Sequence, residues 1–381
     1  MTEEKKNMGL YIHIPFCNKK CDYCDFVSYS MDRQAQQDYL EALFGEIDRM
    51  KIRMKDKTFD SIFIGGGTPS IVYEGFISSL ARKIFSSFHF EPKIEFSIEV
   101  NPASFNKTKF FEYVEAGVNR ISVGVQCIDA RLLKKHGRMQ SMENVEDTFS
   151  IMEKAGFDNV NGDVMLGLPN QTMSSVLKTI KFLIKKKVKH ISTYSLQLEK
   201  HTLLADKIRQ HKLKPLKDDK ILAIYNKVYA LLKKHDYKRY EVSNFAKPCF
   251  ECKHNKKYWN GTDYLGLGVS AHSYIDGYRF FNTKRLDTYI DNLSQGKSPV
   301  YKREYVTQEE RRTEFVMLSL RTIQGLDLNK YKQEFGVDIL KAKATEIKNL
   351  TNLGMIEIEK GFLRITESYF YVSNSIIVEL I

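Results

Sequence analysis

The first 200 residues repeat one pattern. A short run rich in β-branched and aromatic residues is followed by a longer amphipathic segment, and the cycle recurs. The short runs are Leu10–Ile14, Ser61–Ile64, Glu95–Val100, Arg120–Val125, Asn159–Met165 and Ser192–Leu198. The amphipathic segments between them are Gln37–Met54, Ile71–Ser87, Lys107–Ala116, Ala130–Lys154 and Met173–Lys187. Strand–helix alternation of this kind predicts a parallel sheet with crossover helices. Six strands whose ends carry unusual polar residues predict an α/β fold, a partial (β/α)6 TIM-like barrel. In such barrels the site collects at the carboxyl ends of the strands.

Beyond residue 200 the pattern changes. A further helix is expected over Asp218–Lys234, and residues 240–300, rich in aromatics and glycine, read as irregular. Helical periodicity returns at Gln308–Thr322, Leu328–Glu334 and Val337–Asn352. Two short strands, Met355–Glu359 and Phe362–Ile365, turn at Lys360-Gly361. Three helices and a hairpin predict a small winged-helix-like domain. The expected divisions are a core barrel over 1–240, a connecting segment over 241–300 and a C-terminal domain over 301–381.

Composition narrows the class. A chain of 381 residues is long enough for two or three cores. It has no run of 18 apolar residues, so no membrane span is expected. The opening MTEEKKNMG carries both charge signs and no apolar stretch. That argues against a secretory signal and for a cytoplasmic protein. The net charge of +12 comes from lysines spread along the chain. The densest run, Lys185–Lys187 with Lys181 and Lys189, closes a predicted helix, where it suits the dipole and solvent. A nucleic-acid partner is therefore not expected, while peripheral contact with a membrane surface stays open.

The cysteines carry the first chemistry. Cys17, Cys21 and Cys24 stand in a Cys-x3-Cys-x2-Cys spacing on the loop after the first strand. In a cytosolic chain such clustering points to metal rather than to disulfides. Soft thiolates suit an iron–sulfur cluster, and three of them leave one iron open. A structural zinc ion would want a fourth ligand, for which His13 is the nearby candidate. Cys249 and Cys252 with His254 and His272 form a second zinc-type set, and Cys127 reads as a small buried residue. Gly65-Gly66-Gly67-Thr68-Pro69 after the second strand is either a tight turn or a backbone cradle for a ligand.

The string Tyr11-Ile12-His13-Ile14-Pro15-Phe16-Cys17-x3-Cys21-x-Tyr23-Cys24-Asp25-Phe26 resembles the radical S-adenosylmethionine (SAM) superfamily. More narrowly it resembles the group of oxygen-independent coproporphyrinogen III oxidase (HemN) and the HemW heme chaperones. The resemblance implies a [4Fe-4S] cluster on Cys17, Cys21 and Cys24 whose open iron is chelated by SAM. One electron then cleaves SAM to methionine and a 5′-deoxyadenosyl radical. It further implies SAM contacts at Gly66, Gly67 and Thr68, and at Glu99, Gln126, Arg138 and Asp163 at or beyond strand ends. Tyr11 and Tyr23 complete that set. In the oxidase some of these positions serve a second SAM, and one or two molecules are equally compatible with this sequence.

His254-Asn255-x-x-Tyr258-Trp259 has two readings. A histidine among aromatics suits a heme site, and it equally suits a brace at a domain boundary. The string is similar to the signature that separates the HemW group from the oxidase, which implies His254 as a heme contact. Phe26 stands where the oxidase has a fourth cysteine, and the first strand begins by residue 10, leaving almost no N-terminal arm. The implied function is heme binding and transfer to respiratory or cytochrome-type acceptor proteins, with cluster, SAM and an electron donor in support. The alternatives are a radical SAM oxidase that decarboxylates coproporphyrinogen III propionates and a nucleic-acid-binding winged helix. Acceptor, electron donor and oligomeric state are not written in the sequence.

Overall fold

The computed structural model describes residues 7–30 and 32–381, so most of the charged N-terminal stretch lies outside the described residues. The six expected strands all form. They are β1 (Met8–Ile14), β2 (Thr58–Gly66), β3 (His89–Val100), β4 (Arg120–Gln126), β5 (Val160–Leu166) and β6 (His190–Ser195). Each pairs in parallel with the next, in chain order. The crossovers are α1 (Arg33–Arg53), α2 (Phe76–Phe85), α3 (Lys107–Glu115), α4 (Ala130–Lys135), α5 (Met142–Lys154) and α6 (Met173–Lys185). α7 (Leu203–Arg209) and α8 (Asp218–Lys234) follow β6.

The strands are apolar because helices cover one face and the lumen takes the other. In β1, Leu10, Ile12 and Ile14 are buried in the helix-packed core, while Tyr11 and His13 point the other way. β1 and β6 are not paired to each other, so the barrel is open. The sheet is nonetheless curled, since one cavity of about 190 Å³ is lined by Tyr11 of β1, Glu99 of β3, Arg120 of β4, Asn161 of β5 and His190 of β6.

Two sequence expectations are corrected here. The amphipathic segment Ala130–Lys154 is two helices, broken around His136-Gly137-Arg138, where the His136 carbonyl receives the Asp22 N–H of the cysteine loop at 3.0 Å. Residues 240–300 are not irregular. β7 (Lys238–Arg239) and β8 (Asn244–Ala246) extend the sheet beyond β6, and α9 (Lys253–Trp259) follows. β9 (Tyr264–Leu267) then runs parallel to β1 on its free side. β10 (His272–Ile275), β11 (Tyr278–Asn282), α10 (Leu286–Ser294) and β12 (Val300–Tyr305) continue from that edge, completing a sheet of 12 strands. These strands are short and glycine-punctuated, and their partners are distant in sequence, so local pattern did not reveal them.

The C-terminal domain has its own core. It comprises α11 (Gln308–Ser319), β13 (Leu326–Asp327), α12 (Leu328–Phe335), α13 (Ile339–Ala342), α14 (Ala344–Asn352), β14 (Ile356–Glu359), β15 (Phe362–Ile365) and α15 (Ser373–Leu380). The expected helix over Val337–Asn352 is split at Lys343, and α15 had no expectation. The winged-helix-like plan otherwise holds.

A buried hub ties β9 to α1 and α10. Glu46 accepts from Gly268 N (2.8 Å), Asn282 Nδ2 (2.7 Å) and Tyr289 Oη (2.5 Å). Tyr39 Oη donates to the His13 carbonyl at 2.7 Å and receives the Val269 N–H. Gly268 has φ +101, and a Cβ there would meet Tyr39 Oη and, at 2.7 Å, the His13 carbonyl. Gly268→Ala is therefore expected to cost about 2–4 kcal/mol in denaturant unfolding, strain and overpacking adding together. A loss below about 0.5 kcal/mol would show that the hub yields freely.

Candidate functional site

Two mouths of the barrel carry different chemistry. The carboxyl ends of β1 and β2 open onto the cysteine loop, residues 17–29. The loop closes on itself through Cys17 N to Tyr29 O (3.0 Å) and Tyr29 N to Pro15 O (2.7 Å). Asp22 anchors it outward, receiving Lys207 Nζ at 2.5 Å on its carboxylate and the Leu204 N–H at 2.8 Å on its carbonyl. Cys17, Cys21 and Cys24 are half-buried and unpaired, and Cys17 Sγ lies 3.3 Å from Thr68 Oγ1. Burial pushes the Cys24 thiol up to about 11, with Cys21 and Cys17 adding like-charge repulsion. Burial raises Cys17 in the same way. Three thiols gathered on one loop fit a soft cation, which would stabilise the thiolates.

The expected SAM residues converge on this mouth. Gly66 has φ +114, and a Cβ there would press on the His13 ring at 2.7 Å. Gly67 donates to the Ile14 carbonyl at 2.8 Å, and Gly66 N donates to Glu99 Oε2 at 3.2 Å. Burial pushes the Glu99 carboxyl up to about 8, Asp163 adding repulsion and the Gly66 N–H offsetting part of it. Asp163 accepts from Ser122 Oγ (3.0 Å) and Asn161 Nδ2 (2.7 Å). Gln126 ends β4 with φ +60, and its Oε1 is buried without a partner among the described residues. Tyr23 Oη is orphaned likewise. Arg138 donates from Nε to Gln140 (2.9 Å) and from its fork to the Gly124 carbonyl. Burial opposes its charge, but Tyr23 and Cys21 beside it raise its pKa. Tyr11 shares a 3.0 Å hydrogen bond with His13 Nδ1 and faces the cavity beneath Glu99. Orphaned buried acceptors and donors at one mouth are what a polar ligand would satisfy.

His13 is not a free ligand. Its Nε2 meets the Val27 carbonyl at 3.2 Å and its Nδ1 meets Tyr11, while burial lowers its pKa to about 4. The second zinc-type set is not assembled either. Cys249 is exposed, Cys252 is buried with its Sγ donating to Glu95 at 3.3 Å, and His272 stacks on Phe281. Among the described residues no trio of His, Cys, Asp or Glu is grouped to hold a single ion. Cys127 is buried, as expected.

His254 lies at the opposite mouth. α9 crosses the amino ends of β1 and β2, where Lys257 Nζ reaches the Asn7 carbonyl and Asp60, each at 2.7 Å. The His254 ring stacks on Phe63, and its Cε1 would stand 3.0 Å from a Cβ at Gly9. From Gly9 to Ile14 the strand rises roughly 16 Å, which separates His254 from the cysteine loop by about that length. Nδ1 bonds Ser61 Oγ at 3.1 Å and Nε2 bonds Tyr258 Oη at 3.0 Å. Burial, with Lys257 and Arg120 nearby, lowers the His254 pKa to about 3. Both ring nitrogens of His254 thus have side-chain partners, and the residue is 1% exposed.

Sequence reasoning missed the lumen. Arg120, Ser122, Asn161, His190 and Ser192 alternate along β4, β5 and β6 and interlock, His190 Nδ1 to Asn161 Oδ1 at 2.7 Å and Nε2 to Tyr240 Oη at 2.8 Å. The signal was a polar residue at every second position of otherwise apolar strands.

The cysteine spacing, the glycine cradle and the polar strand ends meet at one carboxyl mouth of a β/α sheet. The Radical SAM superfamily matches over residues 11–183, and the HemN C-terminal domain matches over 306–368. The heme chaperone HemW of Lactococcus lactis is 32% identical over 375 residues, covering 98% of this chain and 97% of that protein. The heme chaperone HemW of Bacillus subtilis is 33% identical, covering 96% and 94%. The chain belongs to the HemW family. Coproporphyrinogen III oxidase (HemN) from Escherichia coli, a radical SAM enzyme, shares the fold with a TM-score of 0.85 at 24% identity, covering 99% of this chain and 90% of that one. As a radical SAM protein of the HemW family, the chain works with a [4Fe-4S] cluster and SAM. Among the described residues no helix is long and apolar enough to cross a membrane.

Glu99 yields a pH test. Its folded pKa of about 8 stands above the ordinary carboxylate value, so the folded SAM-free protein binds the extra proton between roughly pH 4.5 and 8. That contribution is present below the unfolded pKa and is lost as pH rises through 8. Glu99→Gln should raise the SAM-free melting temperature at pH 8.5 more than at pH 6. Equal shifts at both pH values would contradict the buried-acid assignment.

Proposed function

We propose that the chain binds heme and passes it to acceptor proteins, as the name heme chaperone says of its HemW relatives. The observation that carries this reading is similarity to those relatives along nearly the whole chain. A second difference from the oxidase sits at the cluster mouth: Phe26, at the position of the oxidase's fourth cysteine, is 61% exposed rather than turned into the site. Cys17, Cys21 and Cys24 are the three ligands of the cluster in this reading. Gly66, Gly67, Thr68, Glu99, Gln126, Arg138, Asp163, Tyr11 and Tyr23 receive SAM at the open iron. When bound, cluster and SAM supply one-electron chemistry. The residues of this chain hold the SAM methionine end on the glycine backbone and its ribose on Glu99. A cytoplasmic location, an electron donor and heme acceptors of the respiratory or cytochrome type complete the proposal.

Two measurements test it. In anaerobically reconstituted protein, Cys17→Ala, Cys21→Ala and Cys24→Ala should each abolish the [4Fe-4S] absorbance, and Cys127→Ala should keep it. A full cluster in Cys21→Ala would remove that residue from the ligand set. Incubation with coproporphyrinogen III, SAM and reductant should give no protoporphyrinogen, while heme titration should give a Soret band. Protoporphyrinogen formation would instead establish the oxidase.

His254 is expected to act on architecture rather than on heme iron. His254→Gln should leave the position of the Soret maximum unchanged and lower the melting temperature, since Ser61 and Tyr258 lose a buried partner. A displaced Soret maximum with an unchanged melting temperature would make His254 the iron ligand.

A further inference from the structure

The lumen keeps one buried cation without a bonded partner. Arg120 opens β4, is 2% exposed and lines the cavity of about 190 Å³ beneath Glu99. Its Nε is buried and orphaned, and none of the described residues comes within hydrogen-bond or ion-pair distance of its guanidinium. Arg239, the other buried arginine among the described residues, is answered instead. It donates to Tyr225 Oη at 2.9 Å and to the Glu367 carbonyl at 3.3 Å, and it lies over the Phe370 ring.

The acids around Arg120 are already engaged. Glu95 gives Oε1 to Cys252 Sγ and His254 N, and Oε2 to Lys253 N. Asp163 accepts from Ser122 and Asn161. Glu99 accepts from Gly66 N, and burial holds its proton up to about pH 8, so it does not repel an anion at neutral pH. Glu95 and Asp163 favour the guanidinium charge through space without touching it. A guanidinium presents five donors in a fork that matches one carboxylate, and leaving them unbonded in a buried site is costly.

The cavity sets the size of what can answer them. At about 30 Å³ for each water-sized group, it takes roughly six such groups, far fewer than a tetrapyrrole needs. Beside Arg120 its wall is made by the rings of Phe63 and Tyr11, which suit a short carbon chain. Tyr194 of β6 lines the same cavity and is 42% exposed, so the cavity meets solvent on that side.

We propose that Arg120 anchors a short aliphatic monocarboxylate of about two to four carbons in the lumen, its carboxylate on the guanidinium fork and its chain against Phe63 and Tyr11. The site borders the expected SAM set at Tyr11 and Glu99 and extends beneath it. It does not depend on the heme-transfer reading. Water would supply lone pairs to the guanidinium but no charge, which is what the carboxylate adds.

The test is equilibrium dialysis of radiolabelled acetate against full-length reconstituted protein without SAM at neutral pH. Binding should saturate at one acetate per chain and be displaced by butyrate. Arg120→Gln should weaken it at least roughly tenfold, the scale of a lost hydrogen bond to a charged group. Retained [4Fe-4S] absorbance certifies the fold of the variant. If the variant loses the cluster, wild-type crystals soaked in sodium bromide decide, since an anomalous peak should stand beside the Arg120 guanidinium. No saturable acetate binding by the wild type, equal affinity in the folded variant, or water alone at the guanidinium overturns the proposal.

Discussion

A single buried carboxylate fixes what lies beneath this barrel. Glu95 accepts from Cys252 Sγ, from Lys253 N at 2.8 Å and from His254 N at 3.1 Å, so it caps α9 from inside the lumen. Arg120 stands beside it, its guanidinium favoured by Cys252 and Glu95 against the cost of burial. An uncompensated charge in such a place would cost several kcal/mol, so acid, base and helix terminus are placed together or not at all. With α9 fastened here and by Lys257 to Asn7 and Asp60, His254, Tyr258 and Trp259 are held in place. His254 faces inward to Ser61, and Trp259 faces outward to the C-terminal domain.

The opposite mouth shows the reverse economy. Its polar groups are left partly unanswered: three half-buried thiols, the orphaned Gln126 Oε1 and Tyr23 Oη, and a Glu99 carboxyl pushed up to about 8. Perturbed and unsatisfied groups gathered in one place mark a functional site better than any one of them does. The lower half of the lumen satisfies itself through His190, Asn161 and Ser192, with Arg120 Nε among the few exceptions. The barrel is thus divided along its axis into a network that locks and a mouth that waits for a ligand.

Much of this was legible in the sequence. The six parallel strands could be read because each carries a dense β-branched run and each crossover is long enough for an amphipathic helix. The cysteine loop could be read because its three cysteines lie within eight residues of one another. Residues 240–300 could not. β9 finds its partner in β1, about 255 residues earlier by the pairing of Gly9 with Tyr264, and no local periodicity encodes a pairing of that span. The break at His136 was hidden for a related reason, since it exists to meet Asp22 on a loop more than a hundred residues away.

The histidine of α9 illustrates how one residue type supports two readings. Imidazole among aromatics fits heme ligation and fits a packed brace equally well, and only the hydrogen-bond partners separate the two. Here both nitrogens are taken, one by a hydroxyl of β2 and one by the phenol a single helical turn away. That spacing of four residues is the one that brings side chains together on a helix face. The same short helix then delivers Trp259 to the other side, toward the C-terminal domain. The string His254-Asn255-x-x-Tyr258-Trp259 is therefore one device with two faces. Its histidine face seals the barrel, and its tryptophan face meets the C-terminal domain.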